Sequence, residues 1–175
     1  APPLRLAPIA PGAGPVFMRA DRLDGVGGKY VEAAGKVELR TRSETVLADW
    51  LRYDFEIDEI WGKGGVLLRR GTDSISGPEA KFKRGTETGF FLEPKFIIGT
   101  NGARGSAATL AFKGADRYEV TDGRYSTCVA PREDWYVRMD ELEIDQLRRV
   151  GTGRNATVRF FDVPILVLPR LSFPL

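Results

Sequence analysis

Histidine is absent from the 175 residues, and cysteine occurs once, at Cys128. Without histidine the usual general base, the base of a nucleophilic triad and the commonest zinc ligand are missing, so most enzyme classes and metal sites fall away together. The sequence therefore predicts a protein that is not an enzyme and that uses no cofactor and no metal. Phosphate-binding loops of the GxxxxGK[ST] or GxGxxG kind are also lacking. "GVGGK" at 25–29 has neither the spacing nor a following helix and predicts a turn. Apolar runs are short: "VPILVLP" at 163–169 falls well below the ~20 residues that a membrane-spanning helix needs. Nor does one sign of charge dominate. Lys and Arg total 26 against 24 for Asp and Glu, interspersed along the chain, which points away from a nucleic-acid partner.

Helical periodicity is scarce, whereas period-two alternation between turn signals recurs through the chain. In "GKVELRT" (35–41) Val37 and Leu39 share one face and Lys36, Glu38 and Arg40 the other. Ala108, Leu110 and Phe112 alternate in the same way, as do Ala156, Val158 and Phe160. The predicted class is all-β, with many short strands. "YDFEIDEIW" (53–61) would put Asp54, Glu56 and Asp58 on one face of a strand. The outer face of a half-buried strand accounts for that pattern, and a catalytic carboxylate pair is the alternative. The first fifteen residues carry Pro2, Pro3, Pro8, Pro11 and Pro15 and lack the apolar centre of a signal peptide, so 1–15 reads as an extended linker. For an exported protein this means that the signal has already been removed.

A weak internal repeat is present. "ADRL" at 20–23 returns as "ADWL" at 48–51, and "GKVELR" at 35–40 returns as "GGVLLR" at 64–69. Two anchors at one period predict a strand-turn-strand unit stacked on its neighbours. Stacked antiparallel units of this kind give an open β-jelly roll of two facing antiparallel sheets, with unpaired edges at its ends that invite strand addition.

The predicted inner face carries Val37, Leu39, Leu51, Val66, Leu68, Ile75, Phe82, Phe90 and Leu92 in the first half. In the second half it carries Leu110, Phe112, Val120, Val137, Met139, Leu142, Ile144, Val158 and Phe160. A dry sandwich core and a groove for lipid chains demand the same alternation, and both readings stay open at this point.

The segments "ADRL", "YVEAAGKVELR", "LADWLRYD" and "GKGGVLLR" resemble the repeat of OstA-type domains of the lipopolysaccharide-transport pathway. The ordered set "GARGSAATLAF", "DGRYSTC", "WYVRMDELEID" and "GTGRNATVRFFDVPILVLPRLSFPL" narrows this likeness. Together they resemble the N-terminal periplasmic domain of outer-membrane lipopolysaccharide-assembly proteins, over about 16–175. The resemblance implies an OstA-like jelly roll over 16–162 and a hydrophobic, proline-rich connection at 163–175 leading to a transmembrane β-barrel. It implies that the inner face receives the lipid A acyl chains of lipopolysaccharide, that a soluble periplasmic carrier docks by sheet-edge addition, and that the barrel and its plug lipoprotein take the lipid onward. The implied location is the periplasmic side of the Gram-negative outer membrane. Cys128 matches the family cysteine that is bridged to the barrel; a second family cysteine near the mature N-terminus has no counterpart before Cys128. Gly105, Ala107 and Ala108 would widen the path or simply form a turn. Arg148, Arg149 and Arg154 flank a turn, either solvated or meeting lipid phosphates. A soluble carrier of the same fold, and a glycan-binding β-solenoid, are the alternative readings.

Overall fold

A computed structural model describes residues 16–100, 102–128 and 132–175; the proposed linker at 1–15 lies outside them. Every regular element among the described residues is a strand. The first eight are β1 (Phe17–Arg19), β2 (Arg22–Val26), β3 (Tyr30–Arg40), β4 (Glu44–Asp54), β5 (Glu59–Arg70), β6 (Asp73–Lys83), β7 (Thr88–Leu92) and β8 (Lys95–Ile98). They are followed by β9 (Ala103–Ser106), β10 (Thr109–Lys113), β11 (Arg117–Ser126), β12 (Trp135–Asp145), β13 (Val150–Phe160) and β14 (Val163–Pro174). All pairings are antiparallel and join one sheet of order β1-β3-β4-β5-β6-β7-β10-β11-β12-β13-β14, with β2 on β3, β8 between β6 and β9, and β9 on β11.

Three pairs of short strands act as single strands broken in the middle. β1 lies on residues 38–40 of β3 and β2 on residues 30–34. β8 and β7 divide β6 in the same way, and β9 and β10 divide β11. The long strands bend at the corresponding level. Pairing shifts register between Ala34 and Val37, between Leu47 and Trp50, and between Lys63 and Val66. Gly35, Lys36, Gly64, Gly65, Asp122 and Asn155, all near this line, have φ between 46° and 77°. Such bulged residues kink a strand and reverse which face the next side chain takes. Across this line Val46 and Ala48 of β4 share the buried face with Leu51, which has the opposite parity.

The result is the expected all-β, open jelly roll, with one refinement. Its two facing layers are halves of one continuous sheet folded along the line of bulges. Val46, Val66 and Leu68 from one layer and Leu51, Ile60, Phe82, Phe91 and Phe112 from the other belong to a single buried cluster. Phe82 meets Phe112 edge to face at 5.5 Å, and Phe112 meets Tyr118 at 5.8 Å. Burying each such side chain stabilises the fold by about 1.5–3 kcal/mol, so this cluster is the main clamp between the layers.

"YDFEIDEIW" is not one strand. β4 ends at Asp54 and β5 begins at Glu59, leaving Glu56 and Asp58 in a hairpin turn. Asp54 Oδ1 accepts from the backbone N–H of Glu56 at 3.0 Å, and Asp58 accepts from the Tyr53 hydroxyl. These carboxylates are turn-formers rather than a facing pair. Of "GVGGK", Gly25 and Val26 end β2 and Gly27, Gly28 and Lys29 form the expected turn into β3.

Candidate functional site

Register places apolar side chains in rows that cross the whole sheet. In one layer the row runs Met18, Leu39, Val46, Leu68, Ile75 and Phe96. It continues through Gly105, Tyr125, Val137, Val158 and Leu166. In the other layer it runs Leu23, Ala33, Leu51, Gly62, Ala80 and Phe91, then Leu110, Val120, Leu142, Gly153 and Leu171. Directly paired residues of an antiparallel sheet point to the same face, so each row is an unbroken apolar band from the β1/β2 edge to β14.

Cover over these bands is uneven. Val37, Leu39, Leu51, Val66, Leu68, Ile75, Phe82, Leu110 and Phe112 are buried. Between the layers there, a cavity of about 40 Å³ remains, lined by Val46, Leu51, Ile60, Val66, Phe82 and Phe112 among others. That is room for a water or two, not for a hydrocarbon chain. Toward β14 the inner residues become half-buried: Val120, Val137, Met139, Leu142, Ile144 and Val158. Phe160, at the end of β13, is exposed.

Phe90 and Leu92 stand apart from the other sixteen candidates. Phe91 is the buried residue, opposite Ala80 and Leu110, so alternation sends Phe90 and Leu92 to the outer face beside Lys81 and Thr109. "GFFLE" has no polar residue inside it to mark its phase, which is why alternation alone misplaces it. Sequence reasoning also passed over Ala33, Val46, Ile60, Phe96 and Tyr118 in the core and Tyr125, Leu166 and Leu171 along the bands. The inner parity of β11 to β13 switches in mid-strand: a Cβ on Gly153, the partner of Leu142, would meet Met139 Sδ, and one on Gly123 would meet Val120. Asp122 and Asn155, with φ near +50°, sit at this switch. Gly105 leaves space that the Phe96 ring fills, whereas Ala107 and Ala108 fall at the break between β9 and β10. Arg148 and Arg149 lie in the exposed β12–β13 turn, and Arg154 pairs with Glu141.

Known proteins resemble the chain over most of its length. The LPS-assembly protein LptD of Nitrosomonas eutropha is 37% identical over 159 residues, covering 91% of this chain and 22% of its own length. That of Thiobacillus denitrificans is 35% identical, covering 98% of this chain and 24% of its own. The chain belongs to the LptD family. It spans only about a quarter of the length of these LptD relatives. No family model matches. Among solved structures, LptH from Pseudomonas aeruginosa, described as the LptA-homologous periplasmic component of the lipopolysaccharide transport device, aligns with 57% of this chain and 76% of its own, at a TM-score of 0.49 and 11% identity.

Two further features of this LptD-family chain flank the bands. β1 and β2 pair only with β3, and β14 only with β13, so among the described residues both ends of the sheet carry an unpaired backbone edge. Pro164, Pro169 and Pro174, which cannot donate to a ladder, all lie on the β14 edge strand, where that loss is tolerated. Cys128 follows β11, half-buried and free. Its backbone N–H donates to Ser126 Oγ at 3.0 Å, and Ser126 Oγ donates to the Trp135 carbonyl at 2.7 Å. The Ser126 hydroxyl, together with the Trp135 backbone, holds the Cys128 thiol below its ordinary pKa.

Proposed function

We propose that this chain is a non-enzymatic conduit for lipopolysaccharide on the periplasmic side of the outer membrane, the N-terminal part of an LptD-type protein whose remainder forms the barrel. The observation that carries the reading is the pair of apolar bands that run from one sheet edge to the other and lose their cover toward β14. Shielding an acyl chain is worth ~0.8 kcal/mol per CH₂, so a continuous apolar wall lets a multi-chain lipid cross water with no chemical step. In this reading residues 16–162 are the conduit domain and 163–175 lead toward the barrel and its plug lipoprotein. The soluble carrier adds its sheet at the β1/β2 edge, which the open backbone there supports. Lipid enters the tightly packed half only when the two layers part, because the cavity between them is too small for a chain. Cys128 is the disulfide partner of a barrel cysteine in an oxidising compartment.

Site-specific photo-crosslinking in cells making the full-length protein tests this. A photoreactive residue at Leu142, on the inner band, is expected to capture lipopolysaccharide, and one at the neighbouring outward Glu143 is not. Phe112, in the closed half, is expected to give weaker adducts than Leu142. Equal labelling at Leu142 and Glu143, or none at either, would leave the domain as a docking adaptor rather than a conduit.

A further inference from the structure

The tip of the β13–β14 hairpin carries large apolar side chains in water. Phe161 and Asp162 form its turn with φ of 46° and 61°, a conformation that Asn and Gly adopt readily and a bulky aromatic only under strain. Yet Phe161 is 61% exposed, and its one ring contact among the described residues is Phe160, edge to face at 4.5 Å and itself 48% exposed. Val163, Ile165 and Val167 follow at 59%, 62% and 63% exposure. A strained, exposed aromatic beside three exposed aliphatics contributes little to folding, and a patch of this kind marks a contact surface.

Arginines stand beside it. Arg159 is opposite Pro164, and Arg138 reaches Val167 across Thr157 on the same outer face. Arg138 has no ion pair or hydrogen bond among the described residues, and Arg159 donates to the Asp162 backbone carbonyl at 3.0 Å, which leaves its charge unneutralised. Arg124, the next in that row, is paired with Glu133; Asp134 and Asp162 are the other carboxylates near the tip. The tip is a convex hairpin end, not a groove. A protein partner would need a pocket shaped to receive it, whereas the headgroup boundary of a bilayer accepts aromatic and aliphatic side chains of any outline, and phosphates meet guanidinium groups there.

We propose that the β13–β14 tip docks on an anionic phospholipid bilayer, with Phe161, Val163 and Ile165 entering the headgroup boundary and Arg138 and Arg159 meeting lipid phosphates. The proposal concerns the hairpin end, where Val163 lies opposite Phe160, and the arginine-bearing outer face beside it; its vesicle test does not depend on lipid passage along the inner bands.

Co-sedimentation of the 175-residue chain with phosphatidylglycerol–phosphatidylcholine vesicles, and with phosphatidylcholine alone, tests it. Binding is expected to the anionic vesicles, with weakening as salt is raised. Phe161→Asn with Ile165→Ser should reduce binding about tenfold or more; asparagine suits the positive φ, so the fold is kept while the ring is removed. Arg138→Ser with Arg159→Ser should abolish the preference for anionic vesicles. Phe55→Ser with Ile57→Ser, at another exposed apolar turn, should bind as the unaltered chain does. The proposal is overturned by absence of binding, by binding that the Phe161→Asn/Ile165→Ser chain retains, by equal loss in the Phe55/Ile57 control, or by tip-dependent self-association without vesicle binding.

Discussion

Asp49 lies against Gly64 so closely that a Cβ on the glycine would stand 2.6 Å from the Asp49 side chain, and Asp21 lies against Gly35 at the same distance. The two glycines have φ of 75° and 77°. These are the anchors of the sequence repeat: the Ala-Asp of one strand fills the space left by the glycine at the bend of the next. Gly64 therefore has two reasons to be glycine, and its neighbour Gly65, with φ of 62° and open space around it, has one.

Gly65→Ala is expected to cost about 1–2 kcal/mol, the penalty of a side chain in the left-handed region. Gly64→Ala should cost more than that, because the Asp49 Cβ cannot swing away. Urea unfolding at unchanged m-value measures both. Equal losses would mean that the Asp49 contact relaxes freely and the repeat is spacing alone.

Glu44, at the start of β4, is almost wholly buried and pairs with Arg70 at the facing end of β5. Thr41 Oγ1 accepts from the Glu44 backbone N–H at 3.1 Å, which fixes the turn around it. Arg70 keeps about a third of its side chain in water, so solvent tempers the loss when its partner goes. Glu44→Ala is expected to lower stability by about 1–3 kcal/mol, with Glu44→Gln closer to the unaltered chain, as read by thermal unfolding. An effect below about 0.5 kcal/mol would mark the pair as dispensable.

The repeat, the all-β class and most of the inner face were legible because side chains in a strand alternate and turns punctuate it. Phe90 and Leu92 were not, since three apolar residues in succession leave the phase undetermined and only the pairing of Phe91 with Leu110 resolves it. Val137 and Met139 alternate out of phase with Leu142 and Ile144, yet Val137 lies on one apolar band and Leu142 on the other; the parity switch at the level of Asp122 and Asn155 explains this, and no local pattern announces it. Asp54, Glu56 and Asp58 mimic a strand face because a hairpin turn can also alternate. The uneven cover of the bands depends on which strands lie across from one another, information that a single strand does not carry.

Cys128 is expected to react with iodoacetamide at lower pH than an unperturbed thiol. Its pKa is lowered first by the Ser126 hydroxyl and then by the Trp135 backbone, both favouring the thiolate. In the neutral state Ser126 gives its single hydroxyl hydrogen to the Trp135 carbonyl, and turning it to sulfur on ionisation supplies the effect. Ser126→Ala should therefore move the alkylation profile to higher pH. An unmoved profile would assign the lowering to the backbone alone.

Met139 lies over Gly153, where a Cβ would stand 2.5 Å from its sulfur. A thioether is the flexible end of an unbranched side chain, so Gly153→Ala should leave stability within about 1 kcal/mol while pushing Met139 off the strand. The space open to it is the half-covered interval between the layers, the same interval in which Leu142 would meet lipid. Crosslinking from Leu142 is then expected to fall in Gly153→Ala and to recover when Met139→Ala is added, because the shorter side chain clears the path. Should Gly153→Ala instead cost several kcal/mol and Met139→Ala fail to restore crosslinking, the glycine serves packing between β12 and β13, and the route of the lipid lies elsewhere along the band.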